Sequence, residues 1–170
     1  MERTMTATKQ KVADVLKKAI KSEEDGLTFY DLLSRKATNA DAKRKLENLR
    51  DDEARHKKTL IDIFHKQVGG EVGSLPKEGL TPLAEVFRRG QLEERKTEIE
   101  FINLAIEAEL AATKYYQQER NLFDDPKLRD VFDRLAEEEH SHYELLMAER
   151  EALGGNYYWF SYNDSSPMEY

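Results

Sequence analysis

The sequence predicts an all-α protein, an antiparallel four-helix bundle made of two helical hairpins joined by a long crossover. Three observations carry that prediction. Apolar residues recur at three- and four-residue spacing in four long stretches, the period of an amphipathic helix rather than the alternation of a strand. Among 170 residues, 8 Gly and 4 Pro are too few for the turns of a many-stranded sandwich or barrel. A hydrophobic fraction of 39% supplies a core although 36% of residues are charged, so the charge does not imply disorder.

The helices fall at about residues 9–36, 41–66, 97–122 and 127–152. Asn39 caps the second, and Thr97 with Glu100 has the spacing of a capping box at the start of the third. Asp125 followed by Pro126 places an N-cap before a proline at the first helical position, and Gly154 and Gly155 close the fourth helix. Helices 1 and 2, like helices 3 and 4, are separated by only a few residues, so each pair forms a hairpin. Between the hairpins, residues 67–81 (QVGGEVGSLPKEGLT) carry half of the glycines, and Pro82 opens a short amphipathic stretch to Arg89. Residues 1–153 therefore read as one bundle, and 154–170 as an aromatic tail. Tyr157, Tyr158, Trp159 and Phe160 of that tail need cover, on the bundle or on a second subunit, and a homodimer is the expectation that follows.

Composition excludes several functions. Without cysteine there is no disulfide framework, zinc ribbon, thiol catalysis or cysteine-held iron centre. The polar stretch Met1–Leu16 lacks the apolar core of a signal peptide, and no run of 18 apolar residues occurs, so a cytoplasmic protein with no membrane partner is expected. With 27 basic and 34 acidic residues, the net charge of -7 argues against nucleic acid as a partner.

An internal repeat isolates the chemistry. Shifting the chain by 86 residues lays helices 1 and 2 on helices 3 and 4 without a gap. The identities are Ala19/Ala105, Ile20/Ile106, Glu23/Glu109, Tyr30/Tyr116, Leu49/Leu135, Glu53/Glu139, His56/His142 and Leu60/Leu146. At about 100° per residue, Leu49, Glu53, His56 and Leu60 lie within roughly 60° of one another, on the leucine face that forms the core. Leu135, Glu139, His142 and Leu146 do the same on the fourth helix, and Ile20, Glu23, Leu27 and Tyr30 on the first over a wider arc. Four carboxylates aimed into one core cannot all stay ionised without compensating positive charge. The core-facing slots hold no Lys or Arg; two divalent cations would balance the four carboxylates. Each Glu-x-x-His pair lets a carboxylate and a ring nitrogen converge one helical turn apart. Two lone glutamates plus two Glu-x-x-His motifs is the di-iron or di-manganese carboxylate pattern of four-helix bundles.

Over about residues 9–152 the chain resembles the ferritin-like superfamily, and within it the rubrerythrin-type di-iron domain. Glu23 in AIKSEEDGLTFY matches the first-helix glutamate of that family, and Glu53 and His56 in DDEARH match its first Glu-x-x-His. Glu109 in AIEAELAATKYY matches the third-helix glutamate, and Glu139 and His142 in EEEHSH the second Glu-x-x-His. The resemblance implies two iron ions, with Glu53 and Glu139 bridging them and Glu23 and Glu109 as terminal ligands. It also implies that Tyr30 and Tyr116, two turns after those terminal glutamates, hydrogen-bond to carboxylates of the site.

Two departures from the family shape the expected function. Lacking the cysteine-held rubredoxin module, the chain needs a separate electron-donor protein, rubredoxin-like or similar. Ile106 and Ala112 occupy turns where rubrerythrins tend to carry one further glutamate, which leaves a simpler six-ligand site. The expected activity is reduction of hydrogen peroxide or dioxygen at the metal pair. The alternatives are a ferroxidase or iron-binding role of the ferritin type, and a metal-binding bundle without turnover. Manganese or zinc would also suit these ligands.

Other candidates read as surface. Glu137 with His140 repeats the Glu-x-x-His spacing but points away from the leucine face, and His65 sits at a helix end. Glu24, Asp51, Asp52, Glu137 and Glu138 read as solvated acids, and Glu107 lies far round the helix from the site face.

Overall fold

The computed structural model describes residues 7–88, 91–92 and 96–160. Four helices form where the apolar period predicts them: α1 (Ala7–Lys36), α2 (Ala40–Gln67), α3 (Glu98–Glu119) and α4 (Pro126–Ala152). The caps behave as their chemistry requires. Asn39 accepts from the backbone N–H groups of Asp41 and Ala42, Thr97 and Glu100 form a reciprocal capping box, and Asp125 accepts from Lys127 N–H. After α4 the chain turns through Gly154 and Gly155, at φ 117° and 59°, a region where a Cβ would be strained. The third helix is shorter than its apolar pattern suggests: α-helix ends at Glu119 and the last turn, Arg120–Leu122, tightens to a 3-10 helix.

α1 packs chiefly on α2 and α3 on α4, so the molecule is two hairpins laid face to face. Two apolar clusters fill the space between them. One gathers Phe29, Leu33, Leu49, Phe101, Ile102 and Leu146, the other Leu16, Ile20, Leu60, Ala112, Phe132 and Leu135. The polar cluster described below lies between these two apolar layers.

The crossover is ordered along α1. Lys18 Nζ donates to Glu78 O at 3.0 Å, and Leu80 N–H donates to Ser22 Oγ at 2.7 Å. The stretch after Pro82 is not a simple lead-in to α3. It forms a 3-10 helix, Pro82–Val86, that buries Leu83 and Val86, and then β1 (Phe87–Arg88) pairs antiparallel with β2 (Gln91–Leu92). Five residues after a proline are too few for an α-helix, which leaves the tighter helix and a two-residue ribbon as ways to satisfy the backbone.

As far as Phe160, the aromatic tail packs on its own bundle. Trp159 and Phe160 are buried, and Trp159 O accepts from Thr38 and Asn39 N–H in the α1–α2 loop. Glu149 on α4, itself buried, accepts from Trp159 Nε1 at 3.0 Å, Tyr157 OH at 2.5 Å and Lys45 Nζ at 2.5 Å. Of the four aromatics that need cover, Trp159 and Phe160 are buried and Tyr157 partly so, whereas Tyr158 stays 44% exposed; residues 161–170 lie outside the described residues.

Candidate metal centre

All six acids and imidazoles predicted to face inward do so, none more than 7% exposed. Glu23 comes from α1, Glu53 and His56 from α2, Glu109 from α3, and Glu139 and His142 from α4. They fall into two overlapping groups, Glu23–Glu53–His56–Glu139 and Glu53–Glu109–Glu139–His142. Within each group one donor atom per residue can be chosen so that all lie within 4.8 Å of one another. Glu53 and Glu139 belong to both groups, so they sit between the two positions where a cation would be held.

The imidazoles turn the same way. His56 Nδ1 lies 3.0 Å from Glu139 Oε1 and 3.5 Å from Glu23 Oε2. His142 Nδ1 lies 3.1 Å from Glu139 Oε2, 3.5 Å from Glu53 Oε1 and 3.6 Å from Glu109 Oε2. Each Nε2 points outward to a carboxylate of the opposite hairpin, His56 to Glu138 Oε2 at 2.6 Å and His142 to Asp52 Oδ2 at 3.0 Å. The expectation that Asp52 and Glu138 are merely solvated is therefore corrected: each is only partly exposed and fixes the ring that presents Nδ1 to the cluster. Arg55 ties the two together, with NH2 2.9 Å from Asp52 Oδ1 and 2.8 Å from Glu138 Oε2. Opposed to burial, the Arg55 and imidazole contacts dominate and hold both carboxyls below their usual range. A signal for these two residues was in the sequence, because positions 52 and 138 are an acid–acid pair at the same offset of 86.

The tyrosines follow the same crossed pattern. Tyr30 OH donates to Glu109 Oε1, and Tyr116 OH donates to Glu23 Oε1, so each hairpin's tyrosine holds the other hairpin's lone glutamate. Gly26 leaves room for Glu53: a Cβ there would stand 3.0 Å from Glu53 Oε2. Glu137, His140 and His65 are exposed, as their positions on the helices predict.

The electrostatics are those of four carboxylates and two imidazoles crowded into one core. Burial alone would neutralise His56, but Glu139 and Glu23 outweigh it and push its pKa up to about 11; His142 is raised further by Glu109, Glu139 and Glu53. Burial and the neighbouring carboxylates push Glu53 and Glu139 well above the usual range. Glu23 goes the other way, to about 2, because its close neighbours Glu53, His56 and Tyr116 together overcome its burial. Even so, Glu23 Oε2 and Glu53 Oε1 are buried with no hydrogen-bond partner among the described residues. Buried carboxylate oxygens are rarely left so unless an ion or a hydrogen-bond donor completes them, and here the donor set of oxygens with one imidazole nitrogen on each side suits a hard or borderline divalent ion. The cluster fits a metal site.

Comparison with solved structures places the fold among ferritin-like bundles. A hypothetical protein from Pyrococcus furiosus is 26% identical, with a TM-score of 0.70 over 82% of this chain and 88% of that one. A ferritin-like, diiron-carboxylate protein from Bacillus anthracis is 17% identical, with a TM-score of 0.67 over 85% of this chain and 98% of that one. The dodecameric thioferritin of Bacteroides fragilis, a bacterioferritin-related protein, is 19% identical, with a TM-score of 0.65 over 82% of this chain and 84% of that one. No curated protein matches the sequence significantly. The rubrerythrin family model matches residues 14–150, a span that takes in every residue of the cluster and both copies of the repeat, and the chain belongs to the rubrerythrin family.

Proposed function

We propose that the protein is a di-iron oxidoreductase that reduces hydrogen peroxide or dioxygen, drawing electrons from a separate, rubredoxin-like donor protein. The observation that carries this reading is the pair of overlapping donor groups sharing Glu53 and Glu139, with buried carboxylate oxygens left over. Glu23, Glu53, His56, Glu109, Glu139 and His142 would hold two metals, with Glu53 and Glu139 common to both donor groups. Bound as a ferrous pair, iron would supply one electron per metal to the oxidant.

The chain's own residues set the conditions for that chemistry. Asp52 and Glu138 accept from Nε2–H of His142 and His56, which leaves each Nδ1 lone pair directed into the cluster once its proton has gone. Tyr30 and Tyr116 hold Glu109 and Glu23 in place and keep one oxygen of each occupied. The apolar layers cover the carboxylates on two sides. The absence of cysteine from these 170 residues favours an electron donor outside this bundle. No helix among the described residues is long and apolar enough to cross a membrane.

The test is anaerobic loading of metal-free protein with ferrous iron, a count of iron per chain, and then exposure to peroxide or air. Two irons per chain, oxidised faster by peroxide than by air, is the expected result. Uptake well beyond two per chain would point instead to iron storage, and no uptake would sink the reading.

A further inference from the structure

A small cavity of about 30 Å³ opens beside the carboxylate cluster, on the side away from the imidazoles. Glu53, Glu109 and Glu139 form its inner end, and Ser22, Asp25 and Gly79 stand where the crossover passes over α1. On α3 the facing positions are Ala108 and Ala112, whose short side chains leave the space open. A water needs about 10–15 Å³ of such space, so the cavity takes a molecule of about two heavy atoms and no organic substrate.

The cavity has one unsatisfied polar atom besides the cluster. Asp25 is 3% exposed and its Oδ1 accepts from Lys21 Nζ at 2.6 Å, whereas Oδ2 has no partner among the described residues. That oxygen faces Gly79, because a Cβ built there would lie 3.1 Å from it and 2.8 Å from Ser22 Oγ. The φ of Gly79 is not in the left-handed region, so backbone conformation does not explain the glycine; space does. Ser22 Oγ, accepting from Leu80 N–H at 2.7 Å, fastens the crossover above the opening.

We propose that this cavity is the entry port by which hydrogen peroxide reaches the carboxylate cluster, with Asp25 Oδ2 as its hydrogen-bond acceptor on the way and Gly79 as the residue that keeps the port open. The inference rests on the function proposed above and adds residues to it. Peroxide can donate an O–H to the free oxygen of Asp25; dioxygen, of nearly the same size, has no hydrogen to give.

Two variants and one structure test it. Gly79→Ala sets a methyl 3.1 Å from Asp25 Oδ2, with Ser22 Oγ, 2.8 Å away, forced to give, and so crowds the port from the crossover without touching a member of the cluster. Asp25→Leu keeps the branched outline of the side chain and removes the acceptor altogether, leaving Lys21 to reach solvent. Both should load the same iron as the parent chain. In Gly79→Ala the second-order rate constant for oxidation by peroxide should fall about tenfold or more. In Asp25→Leu it should fall by about tenfold, the size of one lost hydrogen bond, with the dioxygen rate unchanged. Unchanged peroxide constants in both variants would overturn the proposal. Crystals of the metal-free protein soaked in hydrogen peroxide separate the port from the function on which it rests. Two-atom density against Asp25 Oδ2 supports the port even if the iron-loaded protein does not turn over, and a single water there overturns it even if turnover is seen.

Discussion

His56 and His142 carry protons in the metal-free fold that the unfolded chain would lose near pH 6.5, since buried carboxylates raise His56 to about 11 and His142 further. Between those limits the folded chain binds more protons than the unfolded one, so its stability falls as pH rises, by about 1.4 kcal/mol per pH unit for each extra proton. Metal-free protein should therefore melt at progressively lower temperature from pH 6.5 to 9. Metal binding has the opposite sign, because a cation must displace the protons on His56, His142, Glu53 and Glu139, and loading should release protons and tighten with rising pH. Calorimetric titration in buffers of different ionisation enthalpy counts them; no proton release would contradict the ligand set. Substitutions sort the residues further. Glu53→Ala or Glu139→Ala should lose both metals, since each removes a residue common to the two groups, while Glu137→Ala and His140→Ala should leave loading unchanged. Asp52→Ala or Glu138→Ala should keep two metals but weaken their binding about 10- to 100-fold, as loss of a carboxylate behind a ligating imidazole does. The six central residues were legible because the repeat preserved their identity. Asp52 and Glu138 were not, because a half-exposed acid beside a ligand has the same sequence signature as a solvated one, and the Asp–Glu pairing at offset 86 is a likeness rather than an identity.

At the level of elements, helix starts were readable to within a residue or two, because Asn39, Thr97 with Glu100, and Asp125 with Pro126 are local devices whose partners lie within three positions. Asn39→Ala should cost about 1 kcal/mol in urea unfolding, the usual loss of a capping side chain. The segment between the hairpins was less legible. Its 3-10 helix and two-residue ribbon depend on what Leu83, Val86 and Phe87 meet in the bundle, and an apolar run that short fits several local conformations. The packing of the tail was likewise beyond sequence reasoning, because Glu149 and Glu98, the acids that secure it, look like two more charges on acidic helices. In the structure Glu149 holds Trp159 and Tyr157, and Glu98 accepts from Phe160 N–H at 2.7 Å. Trp159 is only 1% exposed, so Trp159→Ala should cost about 3–5 kcal/mol by urea unfolding while the metal count stays at the parent value. A loss of metal in that variant would mean that the tail supports the cluster and not only the bundle end.

On the scale of the molecule, the tyrosine contacts and the outer histidine contacts of the site all cross from one hairpin to the other. Tyr30 reaches Glu109 and Tyr116 reaches Glu23; His56 is held by Glu138 and His142 by Asp52. The 86-residue repeat thus has a structural meaning that its identities alone did not reveal: the two halves are completed by exchange. Arg55 is the exception, for its counterpart is Ser141, and one guanidinium serves the acids of both halves. Since α1 packs chiefly on α2 and α3 on α4, a cation held by Glu53 and Glu139 is a link between two units that each have most of their contacts internally. Metal should therefore stabilise the whole fold rather than one helix, by mass action on the native state: at free metal one hundred times the dissociation constant of a site, unfolding becomes harder by about 2.7 kcal/mol per site. Chemical denaturation of the parent chain with and without a redox-silent divalent ion such as zinc measures this directly, free of turnover. The transition should stay single and move to higher urea. In Glu139→Ala, which breaks both groups, the same ion should leave the midpoint where it was. A shift of equal size in that variant would mean that the ion binds elsewhere, and that the hairpins are held together by their apolar layers alone.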